Sequence, residues 1–205
     1  RETDFSFYVK QISTSSAAMV GVAEKGPINK PVLVTSWEQF INRFGSYINE
    51  SYLAYAARAF FDNGGSILYV TRIAHLTDPT DRDTLTALKS SVVLQNREAT
   101  PADALRIEAV NEGVWGDRLS VSIEDGSLDP ANHFNLVVRH KGDVVEVFKD
   151  LSMDETLPNH VELAINDRSD FILVQDLAAA TGTPGDRPAL GVFTLSGGDN
   201  GLTDL

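Results

Sequence analysis

Cysteine is absent from the 205-residue sequence, which excludes disulfide bonds and thiolate metal sites and is typical of a reducing compartment. Long apolar runs are absent as well, since none approaches the roughly 20 residues that a membrane-spanning helix requires. The first residues, Arg1-Glu2-Thr3-Asp4, also lack the pattern of a secretory signal peptide. We therefore expect a soluble protein without direct membrane insertion.

Basic residues are scarce: the sequence contains 17 Lys and Arg residues and 29 Asp and Glu residues, which gives a net charge of −12. Such a chain repels phosphate backbones, so we expect no nucleic-acid partner. The excess lies in one half: residues 1–94 hold nine acidic and nine basic residues, whereas residues 95–205 hold 20 and 8. A neutral surface can pack against copies of itself without accumulating repulsion, so we predict an assembly-facing first half and an outward-facing second half. An acidic balance that serves solubility alone is the alternative.

Histidines are few and scattered, and no pattern of catalytic residues is evident. The histidines are His75, His133, His140 and His160, which have no metal-ligand spacing. Gly21 and Gly26 have the spacing of a phosphate-binding loop, but Pro27 stands where a lysine is required. Ser196 lacks a glycine two positions before it, so it is not a nucleophile elbow. We predict a non-enzymatic protein with no catalytic, cofactor-binding or metal-binding residues.

Two groups of polar residues could in principle gather around a cation. Asp78, Asp81 and Asp83 form the first group, and Asp199 with Asn200 forms the second. Neither group follows the spacing of a calcium-binding loop, so the favoured interpretation is that neither binds a metal.

Trp115 lies between Gly113 and Gly116 and allows two interpretations. An aromatic side chain on a glycine-flanked loop can serve as a platform for a carbohydrate or another ligand. It can also fill the core of its own domain at a point where glycines let the backbone approach closely. We favour the second interpretation, and the exposure of the indole distinguishes the two.

The first half has the pattern of a small α/β domain. Apolar strands are predicted at 17–23, 31–34 and 67–70, the last apolar on both faces and hence central and covered by helices. Ser36 and Gln39 have the spacing of a capping box, which predicts a helix from Trp37 that ends at Gly45. A second helix, at about 51–62, places apolar side chains on one face, namely Leu53, Ala56, Ala57, Phe60 and Phe61.

The second half has the alternating pattern of half-buried antiparallel strands. Strands are predicted around residues 105–109, 119–123, 134–138, 144–148 and 171–174, with a helix at 158–165. A turn at Lys141-Gly142 joins two of these strands into a hairpin.

Two domains are therefore expected, because the chain exceeds the usual single-domain length of about 100–150 residues. The final strand and glycine-rich turn, Phe193 to Gly201, follow the mixed β segment and resume an earlier domain in this interpretation. The predicted fold combines α/β and α+β character. A small α/β core domain (1–91 plus 193–205) is interrupted by a mixed, mainly antiparallel β domain (92–192).

Several short motifs occur along nearly the whole chain in an order that resembles one known family. They are Gly21-Val22-Ala23-Glu24-Lys25-Gly26-Pro27, Val34-Thr35-Ser36 with Phe40 and Phe44-Gly45, Phe60-Phe61-Asp62-Asn63-Gly64-Gly65 before Tyr69-Val70-Thr71-Arg72, Ala109-Val110-Asn111-Glu112-Gly113-Val114-Trp115-Gly116-Asp117-Arg118-Leu119, and Leu195-Ser196-Gly197-Gly198-Asp199-Asn200-Gly201. This ordered set resembles contractile phage or prophage tail sheath proteins, and within that family it corresponds to an N-terminal and middle part that lacks the C-terminal domain.

The resemblance implies a structural subunit that polymerises around an inner tube and contracts to drive the tube through the host envelope. The implied partners are other copies of the sheath protein, the inner tail tube protein, and the baseplate and tail terminator proteins. The implied location is the virion tail, with assembly in the host cytoplasm, and no cofactor is implied. A sheath of a related contractile injection system or bacteriocin is the nearest alternative, and a carbohydrate-binding or receptor-binding module is a more distant one.

Overall fold

The structure is a computed structural model, and it describes residues 15–78, 80–81, 84, 86–177 and 184–202. The described residues form helices and three β-sheets, which confirms the α+β class. They divide into two compact units. Unit 1 contains residues 15–23 and Ile28–Ile73, whereas unit 2 contains Glu24–Pro27 and the residues from Ala74 onward.

Unit 1 is built on a three-stranded mixed sheet. Its strands are β1 (Ser16–Gly21), β2 (Pro31–Val34) and β3 (Ile67–Arg72), in the order β1-β3-β2. β3 runs parallel to β1 and antiparallel to β2. The predicted central position of the 67–70 strand is therefore confirmed.

Two helices follow β2, and local signals set the bounds of the first. α1 (Trp37–Phe44) begins where the Ser36 hydroxyl accepts a hydrogen bond from the Gln39 N–H at 3.2 Å. In a capping box the Gln39 side chain would accept a hydrogen bond from the N–H of Ser36, the N-cap residue. Here its Oε1 accepts instead from the N–H of the preceding residue, Thr35. Gly45 ends the helix at a φ of 83°, as predicted.

α2 (Leu53–Asp62) packs with α1 on one face of the sheet. Its buried residues are Leu53, Ala54 and Ala57, while Phe60 and Phe61 lie partly buried at the margin of the same core. The prediction for Ala56 is wrong, since this residue is exposed and Ala54 takes its place. The buried face of α2 therefore lies around Leu53, Ala54 and Ala57 rather than around the two phenylalanines.

The prediction that helices cover both faces of β3 is also wrong for the described residues. Leu68 and Val70 point into the core beneath the helices, but Ile67 and Tyr69 on the opposite face are exposed. Both helices pack against the same face of the sheet. The continuous apolar sequence of β3 therefore belongs to a strand with one buried face and one exposed apolar face.

Unit 2 contains two antiparallel sheets. The four-stranded sheet has the order β10-β6-β7-β8, from β6 (Leu119–Asp125), β7 (Phe134–His140), β8 (Asp143–Leu151) and β10 (Gly191–Thr194). The three-stranded sheet has the order β4-β5-β9, from β4 (Ser91–Gln95), β5 (Asp103–Ala109) and β9 (Ile172–Asp176). A short helix, α3 (Val161–Ile165), packs on β8 and β9.

Both sheets of unit 2 contribute to one hydrophobic core. Leu105 and Ile107 from β5, Val121 from β6 and Leu136 from β7 are buried in it. The alternating pattern therefore predicted these strands correctly. The predicted hairpin is also confirmed, since Lys141 and Gly142 have φ values of 55° and 95° between β7 and β8.

The last strand pairs differently from the prediction that residues 193–205 rejoin the first domain. β10 is antiparallel to β6, with Phe193 opposite Val121, and the following Leu195 is buried in the core of unit 2. β10 pairs with the edge of β6 that β7 does not occupy. The side chains of Phe193 and Leu195 both add to the core of unit 2. The predicted autonomy of 92–192 as an inserted domain stays a prediction.

Candidate functional site

Two of the motifs that carry the family resemblance lie together in unit 2. Residues 111–118 and 195–201 meet the segment 88–91 that leads into β4, and we call these residues the three-segment cluster. The middle segment contains a 3-10 turn, Val114–Arg118, directly before β6. The cluster is held by hydrogen bonds between residues that are far apart in sequence.

Asp117 is the side chain that joins all three segments. Its Oδ1 accepts a hydrogen bond from the Ser90 hydroxyl at 2.7 Å and another from the Gly198 N–H at 3.0 Å. Ser90 is fully buried, so this bond satisfies a hydroxyl that has no access to water.

Backbone hydrogen bonds connect the same segments. The Leu88 carbonyl accepts from the N–H groups of Gly113 and Asp199, and the Leu88 N–H donates to the Asp199 carbonyl. Ser91 and Ser196 exchange a second pair of backbone bonds. The Asn200 side chain adds one more, because its Oδ1 accepts from the Val114 N–H at 3.1 Å. The turn after β10 is thus a structural clamp on the turn before β6.

Close approach of these backbones requires glycine at positions 113 and 198. A Cβ atom on Gly198 would lie 2.3 Å from the Ser90 Oγ and 2.4 Å from the Gly113 carbonyl oxygen. Gly113 has a φ of 125°, and a Cβ there would also lie 2.9 Å from the Glu24 carbonyl oxygen. Neither position has room for a side chain, so the glycine-rich motifs encode packing between segments.

Trp115 is buried, with 1% of its surface exposed. Its Nε1 donates to the Glu112 carbonyl at 3.2 Å, and the indole forms part of the unit 2 core. This arrangement supports the interpretation of Trp115 as a core residue and removes the platform that a carbohydrate would need.

Lys25 and His140 lie next to Trp115. The Lys25 ammonium lies 5.5 Å from the center of the indole, and Arg118 forms a 2.7 Å ion pair with Glu24. His140 meets the indole edge-on, with ring centers 6.3 Å apart. Burial lowers the pKa of His140 below its ordinary value, and the positive charges of Lys141 and Lys25 act in the same direction.

The other histidines lie in separate places, and the described residues bring together no group of three or more His, Asp or Glu side chains able to hold a metal ion. His160 contacts Asp176 at 3.1 Å in a buried pair, and His133 lies 4.0 Å from Asp129. The backbone N–H of His75 donates a hydrogen bond to the Gly201 carbonyl.

The aspartates considered as cation ligands act within turns. Asp78 accepts from the Thr80 N–H and hydroxyl, and these bonds hold the pKa of its carboxyl below the ordinary value. Asp199 accepts from the Gly201 N–H at 2.7 Å. Asp83 lies outside the described residues.

Sequence reasoning identified the two glycine-rich motifs but missed Ser90 and the function of Asp117. Ser90 lies 27 residues before Asp117, and no residue next to it in the sequence distinguishes it from other serines.

Among the described helices, none combines the length and the apolar character needed to span a membrane.

Comparison with known proteins gives one family match. Residues 14–73 match the family model described as the N-terminal region of domain III of the tail sheath protein Gp18. The matched range ends at the last residue of unit 1, Ile73. No curated protein matches the sequence.

Two solved structures have a similar fold. A sheath tail protein from Listeria innocua has a TM-score of 0.58 at 11% identity, over 90% of this chain and 34% of its own. A sheath tail protein from Desulfitobacterium hafniense has a TM-score of 0.54 at 14% identity, over 91% of this chain and 36% of its own. The chain therefore spans about a third of the length of these proteins. The resemblance to phage tail sheath proteins is confirmed, in sequence for residues 14–73 and in fold for most of the chain.

Proposed function

We propose that this chain is part of a structural subunit of a contractile tail sheath, which polymerises around an inner tube and contracts to drive the tube through the host envelope. The observation that carries the proposal is the family match of residues 14–73, together with the sheath-protein fold over 90% of the chain. The proposed partners are other copies of the subunit, the inner tail tube protein, and the baseplate and tail terminator proteins. The proposed location is the virion tail, after assembly in the host cytoplasm.

The three-segment cluster supports a mechanical function. Hydrogen bonds to Asp117, Leu88 and Asn200 connect segments that are as much as 81 to 86 residues apart. A subunit that transmits force has to keep its internal structure while its contacts with neighbours change. Contraction then draws its free energy from differences between two sets of subunit contacts, and neither nucleotide hydrolysis nor an active site is required.

Electron microscopy of the gene product that contains this chain tests the proposal. We expect hollow, transversely striated cylinders in an extended form and in a shorter, wider form. If the gene product never assembles into cylinders, even with the tube protein from the same source, the proposed function is contradicted.

The second candidate is a sheath from a related contractile injection system or bacteriocin, which the same family match favours equally. The source of the particles distinguishes them, because a phage sheath is recovered with a DNA-filled capsid and the other kind without one. A carbohydrate-binding module is disfavoured by the burial of Trp115.

A further inference from the structure

Unit 1 carries an exposed row of aromatic rings on its helical side. Tyr52 and Tyr55 have ring centers 6.4 Å apart, Tyr55 and Tyr47 4.5 Å, and Tyr47 and Trp37 5.5 Å. The Arg58 guanidinium lies 5.5 Å from the center of the Trp37 ring. We call these five residues the aromatic ladder.

Most of the ladder is open to solvent. Tyr52, Tyr55 and Tyr47 are 87%, 54% and 44% exposed. Tyr55 and Arg58 are exposed and lie outside the buried face of α2, so folding of unit 1 does not require their side chains to be aromatic or cationic. Isolated exposed hydrophobic residues are ordinary, but a continuous row of them marks an interaction surface.

The composition of the ladder is that of an interface center. Tyr, Trp and Arg are the residue types that contribute most of the binding free energy at protein interfaces. The ladder is also preorganised, since each ring contacts the next and Arg58 is fixed by a 2.8 Å ion pair with Asp62. Preorganisation lowers the entropic cost of docking.

The charge distribution indicates which partner the ladder fits. Residues 28–73 hold four basic and three acidic residues, whereas residues 95–205 hold 20 acidic and 8 basic residues. Two copies of this chain repel each other when they meet through their acidic regions, and the repulsion is smallest when they meet through the nearly neutral region around the ladder.

We propose that the aromatic ladder is a contact surface for a second copy of this chain. The proposal rests on the proposed sheath function, because a sheath requires contacts between many copies. It assigns one of those contacts to Trp37, Tyr47, Tyr52, Tyr55 and Arg58.

A dilution series of the 205-residue chain, followed by amide NMR between about 20 µM and about 1 mM, tests this contact. We expect concentration-dependent shifts at the ladder and its neighbours. Changing Tyr52→Ser together with Tyr55→Ser should weaken self-association at least tenfold, and Tyr52→Ser alone should weaken it measurably. Leu128→Ser, at a residue 86% exposed in unit 2, is the matched control and should change nothing.

Several outcomes would overturn the assignment. These are the absence of concentration dependence, shifts confined to other surfaces, self-association that persists in the folded double variant, and ladder shifts that appear only on adding tube protein or an oligosaccharide. Electron microscopy separates this failure from failure of the sheath function. Cylinders formed equally well by the unchanged protein and the double variant refute the ladder alone, whereas no cylinders from the unchanged protein refutes the sheath function.

Discussion

Asp117 and Gly198 are 81 residues apart in sequence, and the Asp117 Oδ1 accepts a hydrogen bond from the Gly198 N–H at 3.0 Å. The same oxygen accepts from the buried Ser90 hydroxyl. One carboxylate thus fixes the turn that follows β10, the turn that precedes β6 and the segment that leads into β4.

Asp117→Ala should lower the free energy of unfolding by about 1–3 kcal/mol, because it leaves the buried Ser90 hydroxyl and the Gly198 N–H without their acceptor. Asp117→Asn should cost less, since its amide oxygen can still accept both bonds. Urea denaturation measures both. Asp143→Ala, at an exposed hairpin residue, is the control, and an equal effect of the two alanine variants would contradict the clamp.

Gly198→Ala should destabilise more than Gly197→Ala. A Cβ at Gly198 would overlap the Ser90 Oγ and the Gly113 carbonyl, whereas nothing lies within 4 Å of a Cβ at Gly197. Gly197 has a φ of 86°, so its replacement costs about 1–2 kcal/mol for backbone strain alone. We expect Gly198→Ala to exceed this by about 1–3 kcal/mol in thermal unfolding. Equal melting temperatures of the two variants would show that separating the backbones at Gly198 costs no more than the backbone strain at Gly197.

The local part of the structure was predictable from sequence, and the nonlocal part was not. Ser36, Trp37 and Gly45 carry the signals for both ends of α1, and Lys141-Gly142 carries those for a hairpin turn. The partner of β10 depends on pairing with β6, about 70 residues earlier, for which the strand's own residues contain no signal. Ser90 was missed for the same reason, because its importance comes from a contact with Asp117 and not from its sequence neighbours.

Trp115→Ala should destabilise unit 2 by about 3–5 kcal/mol, since it removes a buried indole from the core. Trp115→Phe should retain part of that packing and cost less. Fluorescence of a Trp37→Phe variant, in which Trp115 is the remaining tryptophan, should show little quenching by acrylamide and no change on addition of oligosaccharides. Strong quenching, or a saturable response to a sugar, would revive the binding-module interpretation.

Lowering the pH from about 7.5 to about 5.5 should destabilise unit 2 through His140. Its pKa in the folded state lies below the ordinary value of about 6.5. In this pH range His140 binds a proton in the unfolded chain but not in the folded chain. The free energy of unfolding therefore falls as the pH drops through 6.5 toward the folded-state pKa. His140→Gln should flatten this dependence in urea titrations at several pH values. Carboxylates protonate at lower pH, so an unchanged slope in the variant would assign the effect to another group.

The pairing of β10 with β6 makes a prediction about which piece of the chain folds alone. Residues 86–202 contain both sheets of unit 2 and the complete three-segment cluster. Residues 92–192 lack Ser90, the second half of β10 and the turn whose Gly198 N–H donates to Asp117. The edge of β6 would then be partly open, and Leu195 would be missing from the core. We expect the longer piece to unfold cooperatively, and the shorter one to be less stable by several kcal/mol or unfolded. Circular dichroism during urea denaturation measures both pieces. If 92–192 is as stable as 86–202, then unit 2 does not need β10 and the final turn, and the prediction of an inserted domain bounded at 92 and 192 is correct.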